Sequence, residues 1–224
     1  DRMRQPVDWR IIGFQKSIAL ILGLPAKEIR PQLCPVNVPR TITEPYVCIG
    51  VQSTSLPKYW NNPHGWSEVV RYLKGLGYRV LCIDQHPSQR FGNQVVSIPP
   101  GAEDFTGDKP LQERANMLAH ADFFIGYSSG LSWLAWGAGC PVILISGFSL
   151  PLAEFYTPYR IINYRCCNGC WSDSKIEFDH SDPFWCPRHK GTERQFECTR
   201  LISPGYVKTV IQRLMQDFHY HPNA

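Results

Sequence analysis

Apolar and polar positions along this chain fall into blocks, and the blocks change period. Trp9 to Leu24 carries Ile11, Ile12, Ile18, Ala19 and Leu22 near helical spacing. That spacing predicts a helix, which Pro25 stops. The stretch Pro31-Gln-Leu-Cys-Pro-Val-Asn-Val-Pro39 reads as an extended linker. From Tyr46 onward, short apolar runs alternate with amphipathic segments. Strands are predicted at Tyr46–Val51, Arg79–Ile83, Phe123–Gly126, Pro141–Ile145 and Arg160–Tyr164, with a shorter one at Val95–Ile98. Helices are predicted at Gly65–Leu76, Pro110–His120, Ser129–Ala138 and Ser203–Phe218. The first places Trp66, Val69, Val70, Leu73 and Leu76 on one face. The third is apolar almost all round and is expected to be buried. The last turns Val207, Val210, Ile211 and Leu214 inward.

Continuous apolar strands alternating with helices require a parallel sheet covered on both faces. The expected fold class is α/β, a doubly wound, Rossmann-like parallel sheet over residues 46–224. An N-terminal helix and interdomain linker over 1–45 precede it. In such sheets ligands bind beyond the carboxyl ends of the strands, near the switch point. The segments that follow each strand therefore matter most.

Composition narrows the function classes. Of 224 residues, 43% are hydrophobic and 19% charged, which excludes a disordered chain. The net charge of +4 comes from scattered basic residues, not from the single stripe that a nucleic-acid partner requires. No window of 18 apolar residues predicts a membrane span. The polar segment Asp1 to Arg10 is not a secretory signal, and the chain does not start with Met. It reads as a fragment or a processed piece of something longer.

After the first strand comes Gln52-Ser53-Thr54-Ser55-Leu56-Pro57-Lys58, where small hydroxyls, open backbone and one cation suit a phosphate. An ordinary capped turn is the alternative. Asp84, after the second strand, suits sugar or ribose hydroxyls, or else a turn. Gly126-Tyr-Ser128-Ser129-Gly130-Leu131-Ser-Trp133 joins a strand directly to an apolar helix. A helix N-terminus offers orphan N–H groups and partial positive charge, which favour a phosphate, and Gly130 permits close approach. A plain Ser-capped helix start is the alternative. The same string resembles a nucleophile elbow with Ser128 as nucleophile. That reading is rejected, because no convincing Asp and His pair follows. No Walker A motif or GxGxxG occurs.

The chain has nine cysteines, an odd number, which argues against a disulfide framework. Cys48, Cys82 and Cys140 sit singly in apolar runs and read as buried thiols; Cys34 stands apart in the linker. The rest crowd into residues 166–198. Cys167-x2-Cys170-x15-Cys186-x11-Cys198 supplies four thiolates with the paired spacing of a tetrahedral metal site. The fold class thus includes a four-cysteine metal-binding finger over 165–200. Four protein ligands leave no open position, so the ion is structural, and composition suits zinc or iron alike. Cys166 falls outside the spacing, and His180 and His189 are possible substitutes. A basic zinc ribbon on nucleic acid is the competing reading. It is opposed by Glu177, Asp179, Asp182, Glu193 and Glu197 among the basic residues.

Three arrays together carry a resemblance: Ile49-Gly-Val-Gln-Ser-Thr-Ser with Lys58-Tyr-Trp60, Ala121 through Ala135, and Gly139-Cys-Pro-Val-Ile-Leu144. They resemble the donor domain of heptosyltransferases of GT-B fold. The lipopolysaccharide-core branch has D-T/S-G-L-x-H where this chain has Ser128-Ser-Gly-Leu-Ser-Trp133. With its cysteine-rich tail, the chain is more similar to the bacterial autotransporter heptosyltransferases, over roughly Trp9 to His219. That resemblance implies a cytoplasmic bacterial glycosyltransferase that moves heptose from ADP-heptose to serine hydroxyls of an autotransporter adhesin. It implies an iron-loaded finger and a large homo-oligomeric ring, a dodecamer. Residues 46–224 would be the nucleotide-sugar-binding domain. Ser53, Thr54, Ser55 and Lys58 would meet the diphosphate, with Lys58 steadying the leaving group. Ser128, Ser129, Gly130 and Leu131 would meet phosphate or heptose, with Asp84 and Trp133 completing the pocket. Trp60 would line the pocket or pack in the core. The general base would come from an N-terminal domain outside these residues, leaving this part inactive alone. A nucleotide-sugar-binding or assembly module without turnover, and a lipopolysaccharide-core heptosyltransferase, are the alternatives.

Overall fold

The structure, a computed structural model, describes residues 8–33 and 39–222. Most of the linker, with Cys34, and most of the first ten residues lie outside the described residues.

Two short helices, α1 (Trp9–Ile12) and α2 (Phe14–Ile21), stand where one was expected. Gly13 divides them. Its φ of 86° is in the left-handed region, and a Cβ there would collide with the Leu152 carbonyl oxygen. The chain then enters β1 (Tyr46–Ile49), α3 (Gly65–Gly75) and β2 (Arg79–Cys82). A hairpin of β3 (Ser88–Phe91) and β4 (Gln94–Ser97) follows, outside the main sheet. Next come β5 (Glu103–Asp104), α4 (Leu111–His120), β6 (Phe124–Gly126), α5 (Gly130–Ala138) and β7 (Val142–Ile145). The chain ends with β8 (Arg160–Ile161), α6 (Glu197–Arg200) and α7 (Pro204–Phe218). Pro110, expected inside the fourth helix, caps it from outside.

The six-stranded sheet has the order β5-β2-β1-β6-β7-β8, with every pair parallel. Side chains alternate across it. Val47, Ile49, Ile125 and Ile143 face α3 and α7 with Val70, Leu73, Val207 and Ile211. Tyr46, Cys48, Phe124 and Leu144 face α4 and α5 with Leu118 and Ala135. Both faces are therefore covered, and Cys48, Cys82 and Cys140 are buried free thiols within these layers.

Chain order reverses at β1, which has β2 on one side and β6 on the other. This switch point opens a crevice beyond their carboxyl ends. Gly126, at the end of β6, sits tightly there: a Cβ would come within 2.5 Å of the fully buried Phe124 ring. Gly126→Ala is expected to destabilise the fold by about 1–3 kcal/mol through overpacking. Urea denaturation measures this, and an unchanged midpoint would contradict the packing described.

Candidate functional site

A cleft of about 790 Å³ lies at the switch point. The segments after β1, β2 and β6 wall it, and Ser53, Thr54, Asp84, Ser129, Gly130, Leu131 and Trp133 line it. These residues come from three strand ends far apart in sequence. Ser129 takes extended geometry at the N-cap of α5 but makes no side-chain cap hydrogen bond. The amides of the first turn are therefore left open to a ligand. Space is free where a Cβ of Gly130 would stand. Trp133 packs edge-on against Phe14, Trp136 and Phe155 and borders the cleft from α5.

The remaining predicted residues are placed differently. Ser55 does not line the cleft: it is buried, and its hydroxyl has no hydrogen-bond partner among the described residues. Lys58 stands behind Thr54, with Nζ 3.4 Å from its hydroxyl and 5.8 Å from the Phe148 ring centroid. Burial lowers its pKa, and the charge of Glu154 opposes that shift. Trp60 belongs to the core, with Nε1 donating to the Ile202 carbonyl at 2.9 Å.

Asp84 reaches the cleft as a structural acceptor. It is 2% exposed. The Val51 amide donates to its Oδ2 at 2.7 Å and the Gln52 amide to its Oδ1 at 3.2 Å. This fixes the exit of β1, the start of the hydroxyl-rich segment. Burial raises the Asp84 pKa, while these amides and Arg114 oppose the rise. Arg114, which sequence reasoning did not single out, also lines the cleft and is 4% exposed. It donates to the carbonyls of Ile83, Asp84 and Gly107. A charged residue on an amphipathic helix gives no local sign that it points inward.

A second cleft of about 550 Å³ lies between α2 and the β7–β8 connection and shares Trp133. The start of α2, Gly13 to Lys16, also borders it without a side-chain cap, but of the predicted residues only Trp133 lines it.

The cysteine-rich segment folds beside the crevice. Cys198 is raised in pKa by burial and further by its neighbours Cys170, Cys186, Cys167 and Cys166. Cys170 is pushed up to about 12, first by burial and then by Cys167. The four predicted cysteines thus share one neighbourhood. Ligand atoms within 4.8 Å of one another belong, however, to Cys167, His189 and Glu197, and the other three predicted sulfurs stand outside that group. The structure therefore presents a possible Cys/His/Glu triad and does not bring the four cysteines together as a set. Glu197 was missed because its charge read as surface charge. Its carboxylate is already occupied, accepting from Arg194 at 2.7 and 2.8 Å and from the Cys167 amide at 3.0 Å. The Arg194 hydrogen bonds hold its pKa down to about 2. Cys166 donates to the Asn163 carbonyl at 3.2 Å.

Comparison with known proteins bears on this site. The profile of glycosyltransferase family 9 (heptosyltransferase) matches residues 15–175. The autotransporter heptosyltransferase BAHTCr of Citrobacter rodentium is 60% identical over 96% of the chain and 52% of its own length. TibC of Escherichia coli, also an autotransporter heptosyltransferase, is 58% identical over 96% of the chain and 52% of its own length. BimC of Burkholderia thailandensis, described as an inactive autotransporter heptosyltransferase, is 42% identical over 94% of the chain and 49% of its own length. The crystal structure of dodecameric, iron-containing TibC with ADP-D-β-D-heptose superimposes with a TM-score of 0.94 at 56% identity. It covers 97% of this chain and 57% of that one. The chain spans about half the length of the curated relatives it matches, and its sheet is GT-B-like. A family match over most of the sequence, on a fold that places the expected loops around one crevice, shows that this chain belongs to glycosyltransferase family 9, the heptosyltransferases.

Proposed function

We infer that this chain is the donor-binding part of a protein O-heptosyltransferase, which moves heptose from ADP-heptose to serine hydroxyls of an autotransporter adhesin. One observation carries the reading. At the switch point, the uncapped start of α5 and the hydroxyls of Ser53 and Thr54 line one cleft, and the ammonium of Lys58 stands behind Thr54, 3.4 Å from its hydroxyl. Fixed amides and a cation are what a leaving diphosphate needs as the glycosidic bond breaks. Leu131 and Trp133 would border the sugar nucleotide, and Asp84 would act by holding the β1 exit. The likeness to TibC, whose structure contains ADP-heptose, supports this donor.

Activating the acceptor requires a general base within hydrogen-bond reach. Asp84 is committed to two backbone amides. We assign the base to a part of the protein beyond these residues, so this part alone is expected to bind donor without transferring it. A large homo-oligomer is the expected assembly, supported by the likeness to dodecameric TibC. Lys58→Ala, tested by calorimetric titration with ADP-heptose, is expected to weaken donor binding by roughly tenfold or more, as loss of a charged hydrogen bond does. Because burial lowers the Lys58 pKa, affinity of the parent chain should fall as pH rises, beginning below the usual lysine range. Equal affinity in a folded Lys58→Ala variant would contradict the phosphate role.

A binding or assembly module without turnover is the second reading. It is favoured by the 42% identity to BimC, described as inactive. Adding an adhesin substrate and looking for its mass increment separates the two, with the full-length protein as catalyst.

For the finger, we infer one structural metal held by Cys167, Cys170, Cys186 and Cys198. Burial and then the neighbouring thiols raise Cys170 and Cys198, and soft thiolates suit iron or zinc. Glu197 would have to surrender Arg194 and the Cys167 amide to serve instead. Iron is favoured by the likeness to iron-containing TibC. Metal analysis of purified protein should give about one equivalent per chain; well under one would overturn the site.

A further inference from the structure

At the wall of the second cleft, the ends of β6, β7 and β8 meet in a polar cluster that holds Ser128 but whose carboxylate the donor reading leaves unused. Its centre is Glu154, on the β7–β8 connection and 6% exposed. Glu154 Oε1 accepts from Ser128 Oγ at 2.5 Å and from Ser149 Oγ at 2.6 Å. Its Oε2 pairs with Arg160 Nη1 at 2.7 Å, with both side chains almost fully buried. Ser146 Oγ in turn donates to the Ser149 carbonyl at 2.8 Å. The charge of Glu154 also reaches Lys58.

The direction of the Ser128 hydrogen bond has a chemical consequence. A hydroxyl carries one proton, and a carboxylate has none to return. While Ser128 donates its O–H to Glu154, its oxygen offers only lone pairs to anything else. Such an oxygen disfavours the oxygens of a phosphate and favours an O–H. Ser128 is half-buried and immediately precedes Ser129, which lines the cleft at the start of α5. Phosphate donors and a sugar-hydroxyl acceptor would thus stand side by side on one loop.

We propose that Glu154 is a positioning residue of the donor site: by accepting the Ser128 O–H hydrogen bond it leaves that hydroxyl oxygen as an acceptor for an O–H of the transferred sugar. The α5 amides and Lys58 are left to the diphosphate. The proposal rests on the donor reading above and assigns the sugar-recognising role to a carboxylate that does not itself line the donor cleft.

Calorimetry with ADP and with ADP-heptose tests it on the parent chain, Glu154→Gln, Ser128→Ala and the double variant. Glutamine keeps the shape of Glu154 but can donate to Ser128, which reverses the polarity. Each single variant should lose about tenfold more affinity for ADP-heptose than for ADP, and the double variant no more than either single one. Glu154→Gln leaves Arg160 without its counter-charge. Should it fail to fold by circular dichroism, Ser128→Ala carries the test through the same split between the two ligands. A merely structural role would weaken both ligands alike, or give additive losses in the double variant, and either result overturns the proposal. Failure of the donor reading shows separately, as a parent chain that binds neither ligand.

Discussion

Replacing Arg114 by alanine is expected to destabilise this fold by about 3–5 kcal/mol, the range for breaking a buried charged network. The guanidinium donates to three backbone carbonyls, those of Ile83, Asp84 and Gly107, from a buried side chain in the wall of the cleft. Alanine leaves all three without this donor, and each buried unsatisfied group costs about 1–3 kcal/mol. It also removes a positive neighbour of Asp84, whose pKa burial already raises. An aspartate whose folded pKa lies above its unfolded value binds its proton more readily in the fold. Its contribution to stability therefore falls as pH rises through the interval between the two values. Loss of Arg114 widens that interval, so the deficit should be smaller at acid pH than at neutral pH. Lysine should not rescue, because one ammonium cannot reproduce the planar fork that spans three carbonyls. Urea denaturation at two pH values measures both effects, and a variant within about 0.5 kcal/mol of the parent, the scale of a surface substitution, would contradict the account.

The second large effect is expected from Cys198→Ser. If four thiolates hold a structural metal, losing one removes most of the energy that folds the segment. Binding free energies for structural metal in small domains are about 10–16 kcal/mol, comparable with the stability of a whole domain. The parallel sheet, with its own two cores, should survive. The cysteine-rich segment also braces the chain that follows β1. The Leu56 amide donates to the Pro183 carbonyl at 3.0 Å, and Asn61 Nδ2 donates to Thr199 Oγ1 at 3.0 Å. Phe148, under Lys58, stacks on Trp171 and packs edge-on against Phe178 and Trp185. Loosening residues 166–200 should therefore expose them to protease first and weaken donor binding as a consequence. Limited proteolysis read by mass spectrometry checks the order. Cleavage in the sheet before the finger, or a finger as protected as in the parent, would contradict it.

What the sequence made legible follows from where burial is local. The central strands β1, β2, β6 and β7 are continuous apolar runs because both faces are covered, and their positions could be read directly. The inward face of α7, with Val207, Val210, Ile211 and Leu214, repeats at helical spacing and is buried as expected. By contrast, β5 is Glu103–Asp104, a two-residue edge defined by pairing with Leu81 and Cys82 rather than by apolar content. β3, with its polar Ser88-Gln-Arg, exists because β4 pairs with it. The break at Gly13 is imposed by Leu152, far along the chain.

The site divides in the same way. Ser53, Thr54, Ser129 and Gly130 follow strands directly, so topology alone puts them at the crevice. Arg114, Glu154 and Glu197 each have, besides nearer partners, one 26 to 31 residues away, for example Ser128 for Glu154. A charged residue gives no local sign that its partner lies in another loop. The cysteine spacing announced a cluster, but the proximity of His189 and Glu197 to Cys167 arises only on folding.

The most direct measurement is a crystal structure of this chain with ADP-heptose. The account predicts the two phosphate groups against the first-turn amides of α5 and the Lys58 ammonium, with the sugar beside Ser128. A nucleotide seated instead in the cleft between α2 and the β7–β8 connection, with the α5 start left bare, would contradict it.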